Sequence, residues 1–139
     1  MNKIKTVIFL VIILFSGNNL FSQSVKFKKD KVLVDGKECL VDNSSNANNV
    51  ELTTNDGKQT IFLKFIRTGI GQNGGLYTKI IFFEQNKSFT SRSYIFTKKL
   101  LVKKLLSDKV IVDCEINEEN IDKFIMKYDE NIEDGLVRY

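Results

Sequence analysis

Short apolar runs separated by polar turns fill residues 25–94. Aspartate-glycine pairs at residues 35–36 and 56–57 each lie between two such runs, and this pair is typical of a two-residue β-hairpin turn. Two more apolar runs, at residues 77–83 and 89–96, predict a further pair of strands. Together the runs predict an antiparallel sheet of about five to six strands.

The spacing of apolar residues becomes helical after Thr97, which can itself cap the N-terminus of a helix. Residues 98–106 set pairs of lysines against pairs of leucines. A second helix is predicted after Asn117, with two glutamates at its positive end. Its apolar residues recur at the spacing i, i+3, i+4 and i+7, and they are Ile121, Phe124, Ile125 and Tyr128. Strands followed by two C-terminal helices predict the α+β fold class.

The N-terminus has the three-part pattern of a secretory signal peptide. Two lysines precede an unbroken apolar run at residues 6–15, and a polar stretch follows the run. Ser22 meets the small-residue rule for cleavage, so we expect a signal peptide at residues 1–22 and a single α+β domain at residues 23–139. A retained membrane anchor is the alternative, but it would need about 20 apolar residues. We therefore expect an exported protein, periplasmic or secreted, with no integral membrane segment after cleavage.

Export changes the interpretation of charge. The whole chain has 21 basic and 17 acidic residues, a formal net charge of +4. Residues 1–22 hold two of the lysines and no acid, so the cleaved chain carries +2. A charge of this size gives no reason to expect a nucleic-acid partner.

Two cysteines, Cys39 and Cys114, lie in the exported part of the chain, where an oxidising compartment permits a disulfide. A bridge between them would close a loop of 75 residues, and the loop-entropy model gives such a bridge about 4 kcal/mol of stabilisation. The alternative is two buried thiols that act as small hydrophobic side chains. The sequence leaves both alternatives open, because it does not show the distance between the two backbones.

The residue inventory excludes several kinds of chemistry. No histidine is present, which excludes the usual histidine-assisted serine or cysteine nucleophile. Two cysteines cannot supply the four ligands of a structural zinc site. The acidic segments at residues 113–124 and 129–135 match calcium-binding loops only in part, because the turn glycine or the closing carboxylate is misplaced. We therefore expect no catalytic residue, no cofactor-binding residue and no metal ligand.

A glycine-rich segment at residues 69–74 matches the letters of the dinucleotide-binding fingerprint. That fingerprint requires a helix after the glycines and an acidic residue about 20 positions later. Here a strand is predicted instead, and residues 89–96 contain no acid. We interpret the segment as a flexible hairpin loop and as a candidate binding loop. Its candidate binding residues are Gly69, Gly71, Gln72, Asn73, Gly74 and Gly75.

Residues 30–35 are similar to residues 108–113. The flanking residues differ and there is no third copy, so a repeat architecture is not indicated. We interpret both segments as short strands bounded by charges and expect them to be neighbours in one sheet.

The lysines of the first predicted helix allow two interpretations. Lys98, Lys99, Lys103 and Lys104 could meet a membrane surface or an acidic partner. We favour a helix that buries its leucines on the sheet and keeps its lysines in water.

The segment Phe21-Ser22-Gln23 and the hairpin at residues 31–37 resemble small exported proteins of unassigned function from Gram-negative Bacteroidota. The resemblance covers the signal peptide and the first hairpin. Such proteins have no agreed activity, so the resemblance implies no catalytic residue here.

The leading hypothesis is a non-catalytic binding or interaction module of the cell envelope, which presents a sheet face or the glycine-rich loop to a protein partner. The alternative is a carrier of small lipid-like or apolar ligands, with a pocket between the sheet and the helices. The candidate lining residues of that pocket are Phe62, Phe65, Phe82 and Phe83. A hydrolase of envelope polymers is a third hypothesis and would need two carboxylates converging in a cleft.

Overall fold

A single antiparallel sheet forms the first part of the computed structural model, which describes residues 23–136. The predicted signal peptide at residues 1–22 and the last three residues lie outside this range. Within the described residues, the sheet has seven strands, and each strand pairs with its neighbours in sequence. The strands are β1 (Val25–Lys28), β2 (Lys31–Val34), β3 (Lys37–Asp42), β4 (Asn49–Thr54), β5 (Thr60–Arg67), β6 (Leu76–Phe82) and β7 (Lys87–Ser91).

Helices and a small hairpin follow the sheet, which confirms the predicted α+β class. The α-helices and the two strands of the small hairpin are α1 (Lys98–Ser107), β8 (Ile111–Val112), β9 (Glu115–Ile116), α2 (Ile121–Tyr128) and α3 (Ile132–Leu136). The six apolar runs identified in the sequence correspond to β2–β7, and β1 is an additional strand. The run at residues 89–96 forms a strand only as far as Ser91.

The helices α1 and α2 pack on one face of the sheet, which we call the inner face. In α2, the ring of Phe124 lies 6.2 Å from that of Phe82 and 5.6 Å from that of Phe89, measured between centroids. Alternate residues along each strand point to this face because side chains in a strand alternate. The fully buried residues of the core include Val32, Leu40, Leu52, Leu63, Ile80, Leu101, Leu105 and Ile121.

The predicted helix caps are present with one modification. The hydroxyl of Thr97 accepts a hydrogen bond from the Leu100 amide at 3.1 Å, so it caps α1 as expected. The Asn117 side chain accepts from the Glu119 amide at 3.2 Å, but it caps a 3₁₀ turn, Glu118–Asn120, that leads into α2.

The C-terminal segment crosses the edge of the sheet at β7. The backbone amide of Thr90 donates to the Asp129 carboxylate at 3.2 Å, and the Thr90 carbonyl accepts from the Glu130 amide at 2.8 Å. The Ile132 amide then donates to the Thr90 hydroxyl at 2.8 Å. Because of this crossing, α3 reaches the face opposite α1 and α2, which we call the outer face.

The expectation that residues 30–35 and 108–113 are neighbours in one sheet is wrong. The first segment forms β2 of the large sheet, whereas the second contributes β8, which pairs only with β9 among the described residues. A short apolar triplet between charges specifies a strand but not its partner, and here the partner is decided by a tight turn directly after β8.

Candidate functional site

The two cysteines are 75 positions apart in the sequence and form a disulfide. Their Cα atoms are 4.8 Å apart, which is within the usual bridging range. Cys39 is the extra residue of a β-bulge, since Val32 pairs with Leu40 and Leu33 with Glu38. The bridge therefore joins the bulge of β3 to the turn between β8 and β9.

The candidate glycine-rich loop connects β5 and β6 and is held by its own hydrogen bonds. The Gly69 amide donates to the Gly74 carbonyl at 2.9 Å, and Arg67 Nη1 donates to the Asn73 carbonyl at 2.6 Å. Gly75 has φ +67°, and a Cβ there would lie 1.8 Å from the Thr68 hydroxyl oxygen, so only glycine fits. The loop leads into a strand rather than a helix, as the sequence indicated.

That loop exposes its own residues to solvent rather than enclosing a site. Gln72, Asn73 and Gly74 form a single 3₁₀ turn and are exposed. Ile70 at the tip is 81% exposed. The structure thus gives the loop one apolar contact point on a fixed backbone.

The outer face of the sheet carries an apolar surface that the sequence analysis did not identify. We call it the outer patch: Val41, Phe62, Ile81 and Phe83 form its apolar part, and Thr53 and Thr60 lie among them. Glu51 of β4 is on the same face, directly opposite Phe62. Phe62 is directly opposite Ile81 across the β5–β6 ladder, and its ring packs edge-on against Phe83 with centroids 5.9 Å apart. Phe83 is 63% exposed. Within residues 23–136, α1 and α2 pack on the inner face and so lie on the opposite side of the sheet from this surface.

Charged side chains border the outer patch. Lys79 on β6 pairs with Glu133 of α3 at 2.8 Å, and the Tyr77 hydroxyl donates to the same carboxylate at 3.1 Å. Burial, together with the hydrogen bond to Glu133, raises the pKa of Tyr77. This cluster fixes α3 beside the patch without covering Phe62 or Phe83.

A cleft of about 560 Å³ opens on the opposite side of the sheet, at the N-terminal end of α1. Ala47, Val50 and Phe65 provide its apolar wall. Asp42 and Lys98 form an ion pair in its lining. The cleft therefore combines a small apolar wall with one ion pair.

The carboxylate of Asp42 is nearly buried and accepts several hydrogen bonds. Burial alone would raise its pKa, but hydrogen bonds from Lys98 and Ser44 outweigh this effect and lower the pKa of Asp42. The Lys98 ammonium also lies 5.0 Å from the centroid of the Phe27 ring. Asp42 and Lys98 are thus already paired with groups of the protein.

The four phenylalanines predicted to line a pocket are not brought together. Phe65 lines the cleft. Phe82 lies in the inner core and is 1% exposed, while Phe62 and Phe83 lie on the outer face. The expectation of a common pocket for them is wrong because neighbouring residues in a strand point to opposite faces.

Two further carboxyl groups have a lowered pKa because neighbouring residues donate hydrogen bonds to them. Burial disfavours the ionised form of Glu130, but hydrogen bonds from Ser91, Ser93 and the Arg92 amide outweigh it and lower the pKa. In Asp56, a hydrogen bond from the Thr54 hydroxyl lowers the pKa. Within residues 23–136, no three Cys, Asp or Glu side chains are grouped closely enough to hold a metal ion.

Comparisons with known proteins identify no relative. No protein-family model matches the chain, and no match is found among curated proteins or solved structures. Among the described helices, none has the length and apolar character needed to cross a bilayer.

Proposed function

We propose that this chain is an exported, non-catalytic binding module of the cell envelope that contacts a protein partner through the outer patch. The observation that carries the proposal is the apolar character of the central strands on both faces, of which α1 and α2 cover one. An apolar surface that the fold itself leaves in water is a common mark of a protein-protein contact.

The composition of the outer patch supports a protein partner. Phe62 and Phe83 are rigid aromatic side chains, and aromatic residues provide much of the binding energy in the centre of an interface. Lys79 and Glu133 beside the patch supply the charged border that such interfaces usually have. The hydrophobic centre would contribute affinity, and the charged border would contribute orientation.

Two features support the cell envelope as the location. The signal-peptide pattern at residues 1–22 predicts export. The disulfide between Cys39 and Cys114 fits an oxidising compartment, where such bridges persist.

The test is affinity capture from an envelope extract with three versions of the protein as bait. Phe83→Asp places a charge in the outer patch. Met126→Asp is the matched control, because Met126 is 83% exposed on α2, away from the patch. We expect wild type and Met126→Asp to retain the same protein, and Phe83→Asp to lose it, with affinity for the purified partner reduced by about tenfold or more.

Both variants must keep the fold, which far-UV circular dichroism and urea unfolding can verify. Met126→Asp should change the stability by no more than about 0.5 kcal/mol. Phe83→Asp also removes the ring contact with Phe62 and should cost about 0.5–1.5 kcal/mol, which leaves the protein folded. If no captured protein distinguishes Phe83→Asp from Met126→Asp, the outer patch is not the binding surface and the proposal fails.

The cleft favours a second candidate function, the carriage of a small ligand. Its wall of Ala47, Val50 and Phe65 could contact an apolar ligand, while Asp42 and Lys98 form a polar edge. A thermal-stability screen with lipids and sugars tests this candidate, since a ligand at 100 times its Kd stabilises by about 2.7 kcal/mol. A stabilising ligand whose effect disappears in Phe65→Asp would support the carrier, whereas an unchanged melting temperature throughout the screen would contradict it.

A further inference from the structure

The first strand of the sheet has an open edge. Within residues 23–136, β1 pairs with β2 and with no other strand. The Asp35 amide donates to the Ser24 carbonyl at 2.8 Å, and hydrogen-bonded pairs alternate along an antiparallel ladder. Lys26 and Lys28 therefore bond to β2, and the amides and carbonyls of Val25 and Phe27 point away from the sheet.

The opposite edge of the sheet is treated differently. There the C-terminal segment supplies partners for Thr90 of β7, through the Asp129 carboxylate and the Glu130 amide. The chain thus covers one edge strand with its own residues, and the described residues leave the other edge uncovered. An uncovered edge offers a template for an additional strand.

Lysines flank the open edge on both faces of the sheet, and we call this group the basic edge. Its residues are Lys26, Lys28 and Lys29 from β1 and its turn, and Lys99 and Lys103 from α1, all of them exposed. No ion pair within the described residues includes any of these five lysines. The basic edge is therefore an uncompensated positive surface.

The position of α1 places its two lysines beside β1. The Lys98 ammonium lies 5.0 Å from the Phe27 ring centroid, so the N-terminal end of α1 is above β1. Lys99, Lys103 and Leu106 share one side of the helix at the spacing i, i+4 and i+7. Leu106 lies in the same cleft as Val34, next to the start of β1. Lys99 and Lys103 are therefore exposed on α1, the helix whose N-terminal end lies above β1.

We propose that β1 accepts an extended acidic segment of a partner polypeptide, which adds to the sheet as a further strand. The outward backbone groups of Val25 and Phe27 would bond to the segment, as in other cases of strand addition. Side chains of an added strand point alternately to the two faces. Acidic side chains on one face would meet Lys26 and Lys28, and those on the other would meet Lys99.

A second copy of the chain is a poor occupant of this edge. Two β1 edges pairing with each other would bring lysines against lysines, and like charges across a ladder are destabilising. Lysines at a sheet edge can have the sole role of preventing strand pairing. That role, and attraction to an anionic lipid surface, are the outcomes that would overturn the proposal. The site is separate from the outer patch, so neither proposal depends on the other.

The test uses the exported chain and fluorescein-labelled peptides of the repeat Glu-Glu-Val-Val, which places glutamates on both faces of an extended strand. One control peptide replaces every Glu by Gln, and another keeps the sequence but methylates alternate backbone amides. We expect the acidic peptide to bind, and both controls to bind at least about tenfold more weakly, because one lacks charge and the other lacks strand hydrogen bonds.

Protein variants locate the binding site. We expect the double variants Lys26→Gln with Lys28→Gln and Lys99→Gln with Lys103→Gln each to weaken peptide binding by about tenfold. The matched control is Lys58→Gln with Lys123→Gln, which removes two exposed lysines away from the edge and should leave binding unchanged. Amide hydrogen exchange of Val25 and Phe27, followed by NMR, should slow when the acidic peptide is bound.

Three results would overturn the proposal. The acidic peptide could fail to bind, which would assign the lysines to the prevention of strand pairing. The methylated peptide could bind equally well without protection of the Val25 and Phe27 amides, which would show attraction by charge alone. The protein could bind anionic phosphatidylglycerol vesicles but neither phosphatidylcholine vesicles nor the acidic peptide. That result would assign the basic edge to a lipid surface.

Discussion

Loss of the bridge between Cys39 and Cys114 should remove a large part of the stability of this protein. The two residues are 75 positions apart, and the bridge closes all of the sheet from β3 to β7 together with α1 into one loop. Reduction releases that loop in the unfolded chain, where it regains conformational entropy. In the folded chain, the bulge of β3 and the β8–β9 turn lose their covalent link.

The expected magnitude follows from the length of the loop. A loop of 75 residues gives about 4 kcal/mol in the chain-entropy model. Small domains have a total unfolding free energy of about 5–15 kcal/mol, so this is a substantial share. With a urea m-value of about 2 kcal/mol/M, reduction should lower the unfolding midpoint by about 2 M.

The assay is urea unfolding of the protein without its predicted signal peptide, with and without dithiothreitol, followed by circular dichroism. The double variant Cys39→Ala with Cys114→Ala is the control, because its midpoint should be low and insensitive to the reductant. Mass spectrometry after iodoacetamide treatment reports the thiols independently. Coincident midpoints for the oxidised and reduced wild type, or modification of both cysteines without reduction, would refute the reasoning.

Two further predictions concern the core and the cleft. Phe124→Ala removes a ring packed against Phe82 and Phe89 and should cost about 3–5 kcal/mol in urea unfolding. Met126→Ala on the same helix should change stability by less than about 0.5 kcal/mol, and equal losses would contradict the assigned core. Folding lowers the pKa of the Asp42 carboxyl group. The ionised carboxylate therefore stabilises the fold fully above the ordinary pKa of 3.8, and this stabilisation is lost as the pH falls through the lower pKa of the folded state. The difference in urea midpoint between wild type and Asp42→Asn should therefore be constant near neutral pH and shrink below pH 3.8, and a constant difference at all pH values would contradict it.

The central strands contain a signal for the outer patch that could have been used. Residues 61–63 and 80–83 are continuously apolar, whereas a strand with one solvated face alternates apolar and polar residues. Continuous runs predict strands that are apolar on both faces. The sequence does not say which face receives the helices, so it could not show that Phe62 and Phe83 remain uncovered.

The basic edge could likewise be recognised only from the fold. Lys26 and Lys28 are separated from Lys99 and Lys103 by about 70 positions, and no local pattern relates them. They become one surface because α1 packs antiparallel to β1 over Phe27. The same packing ties Lys98 to Asp42, which makes this lysine part of an ion pair rather than of the free basic surface.

Local patterns in the sequence determined six of the seven strands of the large sheet, its aspartate-glycine turns and the helix caps. Asp-Gly turns, the Thr97 cap and the spacing of Ile121, Phe124 and Tyr128 act over a few residues, so their physical causes are visible in the order of the residues. Only the tertiary structure decided which face of the sheet is covered, which edge is open and whether the two cysteines meet. These features depend on contacts between distant segments, and their free energy is set by how the whole chain packs rather than by any local pattern.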